Sequence, residues 1–259
     1  MIHLQNLTLR REQRDILRGV DLKVGEGEHW VLLGRNGCGK TTVLEMITGY
    51  LFPTSGTVDV LGNRYGTVDV REVRKQIGYI GSSLIEKFTL YDPVWEIVAG
   101  GANAYLRIYE EAAPEIRERA HAELDRVGFG EMADQPFGTL SQGERKKVLL
   151  ARTMMADPRL IILDEPCAGL DLYEREAYLE ALRELSGRDL SMLYVTHHIE
   201  EIVPLFTHVA LMAEGRIVAS GPKRETLTPE WLQSAFGVNV SLQWQEDRPW
   251  IQVRKGALR

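Results

Sequence analysis

Apolar and polar residues alternate over Ile2–Arg10, with Ile2, Leu4, Leu7 and Leu9 among polar neighbours. A period of two predicts a half-buried strand, irregular around Asn6. Val20-Asp21-Leu22-Lys23-Val24 alternates more cleanly, and Gly25-Glu26-Gly27-Glu28 reads as a turn. Trp30-Val31-Leu32-Leu33 is a continuous apolar run, the pattern of a strand covered on both faces. Helical spacing follows over Thr42–Tyr50, with Val43, Met46 and Ile47 on one side, Gly49 near the stop and Pro53 beyond it. Gly56–Val60 alternates again. Its five residues recur at 66–70, but the flanks differ, which favours coincidence over a repeat. Ile77–Ile80 predicts a short buried strand.

Residues 85–139 read as mostly helical. Pro114 suits a first helical turn, and Ile116, Ala120, Leu124 and Val127 form an apolar stripe ending at Gly128. Leu160–Leu163 and Met192–Val195 are buried-type strands on either side of an amphipathic helix over 172–186. His208–Ser220 reads as a hairpin around Glu214-Gly215. A second hairpin, Val238–Trp244 with Trp250–Val253, turns at Glu246-Asp247-Arg248. With no long Ser/Gly/Pro linker, the pattern predicts one α/β domain over 1–235. It carries a helical insertion at about 83–150 and a short β extension over 236–259.

Composition narrows the class. Among 259 residues, 44% are hydrophobic and 26% charged, which excludes collagen, a disulfide scaffold and a mostly disordered chain. Lys plus Arg number 31 against 37 Asp plus Glu, a net charge of −6, so stable nucleic-acid binding through bulk charge is not expected. Only Cys38 and Cys167 are present, which fits a reducing compartment. No run reaches the ~18 apolar residues that span a bilayer, and Met1–Gln5 does not resemble a signal peptide. The expectation is a soluble cytoplasmic protein whose membrane role, if any, is peripheral.

Gly34-Arg35-Asn36-Gly37-Cys38-Gly39-Lys40-Thr41 fits G-x-x-x-x-G-K-[ST], between a buried strand and a helix that includes Thr42. Glycines let backbone amides turn inward around a phosphate, and the helix presents its positive end to the anion. Lys40 can reach the β- and γ-phosphates, and the Thr41 hydroxyl can bind Mg²⁺. Leu160-Ile161-Ile162-Leu163-Asp164-Glu165 ends a strand in two carboxylates. Ligands bind beyond the carboxyl ends of such strands, so Asp164 is expected to hold Mg²⁺ through water and Glu165 to orient or deprotonate the attacking water. These two motifs together predict a nucleoside triphosphatase.

Leu140-Ser141-Gln142-Gly143-Glu144 opens a helix. Taken alone, it reads either as an anion site or as a capping box between Ser141 and Glu144. Ser141 lies 101 residues after Lys40 and 23 before Asp164. With this order and spacing, residues 1–225 resemble the ATP-binding-cassette (ABC) ATPases, whose signature motif this segment matches.

The resemblance implies an α/β fold. Its parts are a P-loop NTPase core with a mainly parallel sheet, an antiparallel β subdomain and a helical signature subdomain. It also implies ATP hydrolysis by a head-to-tail dimer, with a second copy or a homologous ATPase as the other subunit. In such a dimer Ser141 and Gly143 of one copy meet the γ-phosphate held by the other. Ala168-Gly169-Leu170-Asp171 matches the D-loop, with Asp171 its acid, and Val195-Thr196-His197 matches the switch-histidine motif. The family spacing selects His197 over the adjacent His198. A membrane permease is the partner the resemblance implies. The second reading is a soluble ABC protein with a regulatory or repair role.

Two positions depart from the family pattern. Arg11 stands where an aromatic residue usually stacks on adenine, and a guanidinium can also stack on a π face. Ser82 replaces the Q-loop glutamine that binds Mg²⁺, so a serine hydroxyl would reach the metal only through water. The serine, with Thr196-His197-His198-Ile199-Glu200-Glu201, resembles the molybdate-type branch. Phe88, Leu90, Val94, Trp95 and Ile97 either dock a permease or pack within the insertion. Late in the chain, Trp231, Phe236, Trp244 and Trp250 are expected to pack the tail onto the core rather than form an exposed surface.

Both cysteines flank the predicted phosphate site. Thiol alkylation is expected to block ATP hydrolysis chiefly through Cys38, with bound ATP protecting. Equal inactivation of a Cys38→Ala variant would refute the assignment.

Overall fold

Strand order follows from where the alternation is single-sided and where it is not. The computed structural model describes residues 1–108, 112–186 and 189–258, with side chains for all of these except 82, 83 and 255–258. In chain order the elements begin β1 (Ile2–Arg11), β2 (Arg14–Val24), β3 (His29–Gly34), α1 (Lys40–Ile47), β4 (Ser55–Val60), β5 (Asn63–Arg64) and α2 (Val70–Arg74). They continue β6 (Ile77–Gly81), α3 (Val94–Ala99), α4 (Pro114–Arg126), α5 (Gln142–Met154), β7 (Leu160–Asp164), α6 (Leu172–Leu185) and β8 (Ser191–Thr196). The last are β9 (His208–Ala213), β10 (Arg216–Pro222), α7 (Lys223–Thr226), α8 (Pro229–Phe236), β11 (Val238–Gln245) and β12 (Arg248–Leu258). Contacts divide the chain into two units, Met1–Ile77 with Leu190–Arg259, and Gly78–Asp189.

The first unit holds an antiparallel sheet of order β2-β1-β4-β5. Ile2 and Leu4 face its core, and so do Leu7 and Leu9, although the two pairs are out of phase. Asn6 resolves the mismatch. Its φ of 47° places it in the left-handed region, and the register with β2 shifts between Leu4 and Leu7. One bulged residue thus returns the apolar set to the same face.

In the same unit β3 lies between β8 and β9, parallel to both, and β9 pairs antiparallel with β10, giving a mixed sheet. Every residue of β3 is buried, as the unbroken apolar run requires. Helix α1 begins at Lys40 rather than Thr42, because Gly39 takes the left-handed conformation that starts it. It stops at Ile47, and Gly49 follows at φ 70° as the left-handed stop.

The turn of the second hairpin consists of Glu246 and Asp247 alone, at φ 49° and 60°, while Arg248 already belongs to β12. The expected packing of the tail aromatics is corrected in part. Trp231 and Trp250 are exposed and Phe236 and Trp244 half-buried. Trp231 lies on α8, whose buried residues are Leu232 and Ala235, and Trp244 and Trp250 stand on opposite faces of a two-stranded ribbon that is covered better on one.

In the second unit β6 and β7 are neighbours, joined by helices α3 to α5, and α6 follows β7. Residues 85–139 are less helical than expected: α3 has 6 residues, α4 has 13, and short 3₁₀ turns fill much of the rest. Phe88, Val94 and Ile97 are buried within this unit, whereas Leu90 is exposed beside Tyr91.

Arg152 on α5 ties these short pieces together. It is buried, donates Nη1–H to the Ile97 carbonyl at 2.6 Å and Nη2–H to the Tyr105 carbonyl at 2.7 Å, and lies over the Phe88 ring at 4.9 Å. Burial lowers its pKa to about 10, so it remains a cation at neutral pH. Among the described residues no helix is long and apolar enough to cross a membrane.

Arg152→Met keeps the stem but strands the buried Ile97 carbonyl and the part-buried Tyr105 carbonyl, and a buried group left unsatisfied costs about 1–3 kcal/mol. Urea unfolding of the variant is expected to show a loss of about 2–4 kcal/mol. A loss below about 0.5 kcal/mol, the scale of an ordinary surface substitution, would remove Arg152 as the tie.

Candidate functional site: a phosphate loop and two carboxylates

The phosphate loop grows from the C-terminal end of β3, where no alternation exists to turn the chain aside. Gly34 must be glycine, because a Cβ there would meet the Met212 carbonyl oxygen at 2.4 Å. Gly37 has φ 78°, so its conformation rather than crowding requires glycine. Gly39 caps α1 without a side-chain hydrogen bond. A helix start lacking a side-chain cap keeps donors for an anion, and the local dipole favours negative charge.

Lys40 is buried and donates Nζ–H to the carbonyls of Gly34 at 2.8 Å and Arg35 at 3.2 Å, curling the loop over its own ammonium. The Cys38 carbonyl accepts from the Gly215 amide at 3.0 Å, which ties the loop to the β9–β10 turn. Arg35, Asn36, Gly37 and Thr41 are exposed and Thr42 is half-buried. Cys38 is buried, and burial pushes its thiol up against the opposing pull of Lys40. The reactive thiolate is therefore scarce at neutral pH, and alkylation accelerates as pH rises.

His197 belongs to the same edge. Leu33 of β3 pairs in register with Thr196 of β8, so Gly34 and His197 leave adjacent parallel strands at the same level. The His197 ring lies against that of His198, centroids 4.1 Å apart, and His198 Nδ1 is 3.6 Å from a Glu200 carboxylate oxygen. Arg11 ends β1 at an exposed hairpin tip, opposite Arg14 in the register.

The carboxylates lie in the second unit. Asp164 ends β7 and accepts from the Tyr79 hydroxyl at 3.3 Å. Glu165 follows at φ 48°, a left-handed conformation that costs a non-glycine residue about 1–2 kcal/mol. The loop beyond is held by Lys146, which donates to the carbonyls of Pro166 at 2.7 Å and Ala168 at 2.6 Å.

Ser141 forms the capping box that its spacing with Glu144 allows. Its Oγ accepts from the Glu144 amide at 3.2 Å, and its own amide donates to the Glu144 carboxylate at 2.7 Å. Ser141 is exposed, whereas Gly143 is buried beneath Glu174, whose carboxylate accepts from the Gly143 amide at 3.4 Å. Asp171 caps α6 by accepting from the Glu174 amide at 2.8 Å. One residue, Glu174, therefore joins the start of α5 to the start of α6.

Ser82 starts a 3₁₀ turn, and its side chain lies outside those described. Sequence reading missed Lys146 and Glu174. The Asp171-x-x-Glu174 spacing was a signal for the second. Nothing local marked Lys146, whose partners are backbone atoms about 20 residues away.

The ABC transporter family model matches residues 17–168. The chain is 41% identical over 254 residues to the uncharacterized ABC transporter ATP-binding protein YlmA of Bacillus subtilis, covering 97% of this chain and 96% of YlmA. It resembles the structure of cbiO1 from Clostridium perfringens, described as part of the transporter complex cbiONQ. The TM-score is 0.79 at 26% identity, over 90% of this chain and 92% of that one. It also shares the fold of the dimeric cassette MJ0796 bound to ADP and Pi. There the TM-score is 0.72 at 23% identity, over 86% of this chain and 98% of that one. A phosphate loop curled over a buried lysine, on a mixed α/β sheet, with matches along nearly the whole chain, makes this protein a member of the ABC transporter family: an ATP-binding cassette that hydrolyses ATP.

Proposed function

We propose that the chain is the ATPase subunit of a transporter and works at the cytoplasmic face of a membrane. In this reading two copies pair head to tail around two ATP molecules and drive a separate integral-membrane permease. The observation that carries the reading is the phosphate loop, in which Lys40 holds two loop carbonyls and the start of α1 carries no side-chain cap. The names and descriptions of YlmA, cbiO1 and the MJ0796 dimer support the transporter and dimer parts.

The residues divide the work. Amides of Gly34–Thr42 bind the phosphates, and Lys40 exchanges loop carbonyls for phosphate oxygens. Glu165 orients or deprotonates the attacking water, and His197 contacts the γ-phosphate. Ser141 and Gly143 of the second copy complete the site, with Asp171 linking the two sites. The Thr41 hydroxyl and the Asp164 carboxylate are hard oxygen donors of the type Mg²⁺ prefers, and Ser82 is a third candidate. When bound, Mg²⁺ neutralises charge on the phosphates. The molybdate-type branch is a finer reading that rests on Ser82 and on the Thr196-His197-His198 run.

Glu165→Gln is expected to lower ATP turnover by roughly 10² or more, the usual contribution of a general base, while ATP binding persists. Full turnover would remove Glu165 from its role. The same variant traps the ATP-bound dimer. A pull-down from detergent-solubilised membranes is expected to recover an integral-membrane protein, and its repeated absence would favour the soluble regulatory or repair role. Arg11→Ala is expected to weaken ATP binding about two- to fivefold, the worth of an exposed cation–π contact. Unchanged affinity would end the stacking assignment.

A further inference from the structure

The C-terminal hairpin reaches the segment that follows His197. Arg248, the first residue of β12, donates Nε–H to the backbone carbonyl of Glu200 at 2.6 Å. Glu200 sits in the 3₁₀ turn Ile199–Glu201, three residues beyond His197. The same turn is gripped from the core. Glu201 is 3% exposed and accepts from the Tyr194 hydroxyl at 2.8 Å and the Thr196 hydroxyl at 2.6 Å. The Thr196 oxygen in turn accepts from the His198 amide at 3.0 Å. Residues 197–201 are therefore held on the inner side by β8 and on the outer side by the hairpin.

The outer hold is itself anchored. At the hairpin tip, Lys223 donates to the Asp247 carbonyl at 3.0 Å and Arg224 to the Asp247 carboxylate at 2.9 Å. Burial alone would raise that carboxyl, but the hydrogen bonds from Lys223 and Arg224 outweigh it and keep the group below its usual range. The Arg248 guanidinium also lies over the Trp250 ring at 5.2 Å. An arginine fixed at its own strand can hold a carbonyl without first ordering a loose side chain.

We infer that Arg248 is a positioning residue for ATP hydrolysis: by clamping the Glu200 carbonyl it fixes how the 197–201 segment presents His197. The inference rests on the proposed contact between His197 and the γ-phosphate. Hydrogen bonds to charged groups are the strong class, and displacing a catalytic group by about 1 Å can cost up to about 10²-fold in rate. The extension over 236–259 would then set turnover rather than merely complete the fold.

The test uses the full-length protein. Arg248→Met keeps the stem and removes the donors, while Arg248→Lys keeps one donor. Each is made in the wild-type and the His197→Ala backgrounds, and kcat and KM for ATP are measured with hydrogen exchange of the peptide spanning 197–203. Arg248→Met is expected to lower kcat about tenfold, the lower end for a charge-assisted hydrogen bond, with KM nearly unchanged. Arg248→Lys should recover part of the loss, and exchange in the peptide should rise. In the His197→Ala background Arg248→Met should cost nothing further, because groups acting as a unit are not additive.

An equal loss in both backgrounds would overturn the inference. So would an unchanged kcat in Arg248→Met while His197→Ala loses turnover, an outcome that leaves the role of His197 standing. Full turnover in His197→Ala would instead end the role of His197, and the inference with it. If Arg248→Met fails to fold, Asp247→Asn loosens the tip without touching Glu200. A kcat loss confined to the wild-type background then supports the clamp, and its absence overturns it.

Discussion

The complete burial of β3 is the constraint on which the first unit of the protein depends. A strand parallel to partners on both sides and covered on both faces has no polar edge, so its backbone groups are satisfied within the sheet. The chain can become irregular only where the strand ends, and the phosphate loop begins there. The in-register pairing of Leu33 with Thr196 brings His197 out at the same edge. The placement of the loop and of His197 thus follows from sheet hydrogen bonding, and the loop residues add only local shape.

Two lysines use one device to shape the loops that follow strands. Lys40 gathers the Gly34 and Arg35 carbonyls after β3, and Lys146 gathers the Pro166 and Ala168 carbonyls after β7. A buried ammonium needs acceptors, and carbonyls turned out of a sheet need donors, so each satisfies the other. Lys40 comes from within its own loop, so the motif reveals it. Lys146 comes from a neighbouring helix and has no motif to announce it. Arg152 repeats the logic in the second unit, where it joins carbonyls from α3 and the following turn.

Pattern reading worked where a strand or a turn carries its own chemistry. The first hairpin turn, Glu214-Gly215, and the left-handed stop at Gly49 were legible because few residues tolerate positive φ. Pattern reading was weakest where context decides. Gly-Thr-Val-Asp-Val forms β4 at 56–60, yet at 66–70 the same five residues make a turn, with Asp69 capping α2 and Val70 starting it. At 56–60 the strand pairs with β1, whereas among the described residues the segment at 66–70 makes only an isolated bridge between Val68 and Tyr65. Trp244 and Trp250 show the same limit, since amino-acid type does not say which face of a ribbon is covered.

The sequence by itself determined the phosphate loop, the paired carboxylates and the buried strands, and it offered the capping box at Ser141 as one of two readings. Each depends on residue types at fixed short spacing, and short spacing is all that local geometry requires. Only the tertiary structure decided that Glu174 of α6 reaches the Gly143 amide of α5, that Lys146 holds the loop after Glu165, and that Arg248 reaches Glu200. These contacts cross about 20 to 50 residues of chain, and their partners are mostly backbone groups. Every residue carries those groups, so no pattern of side chains along the sequence can mark them.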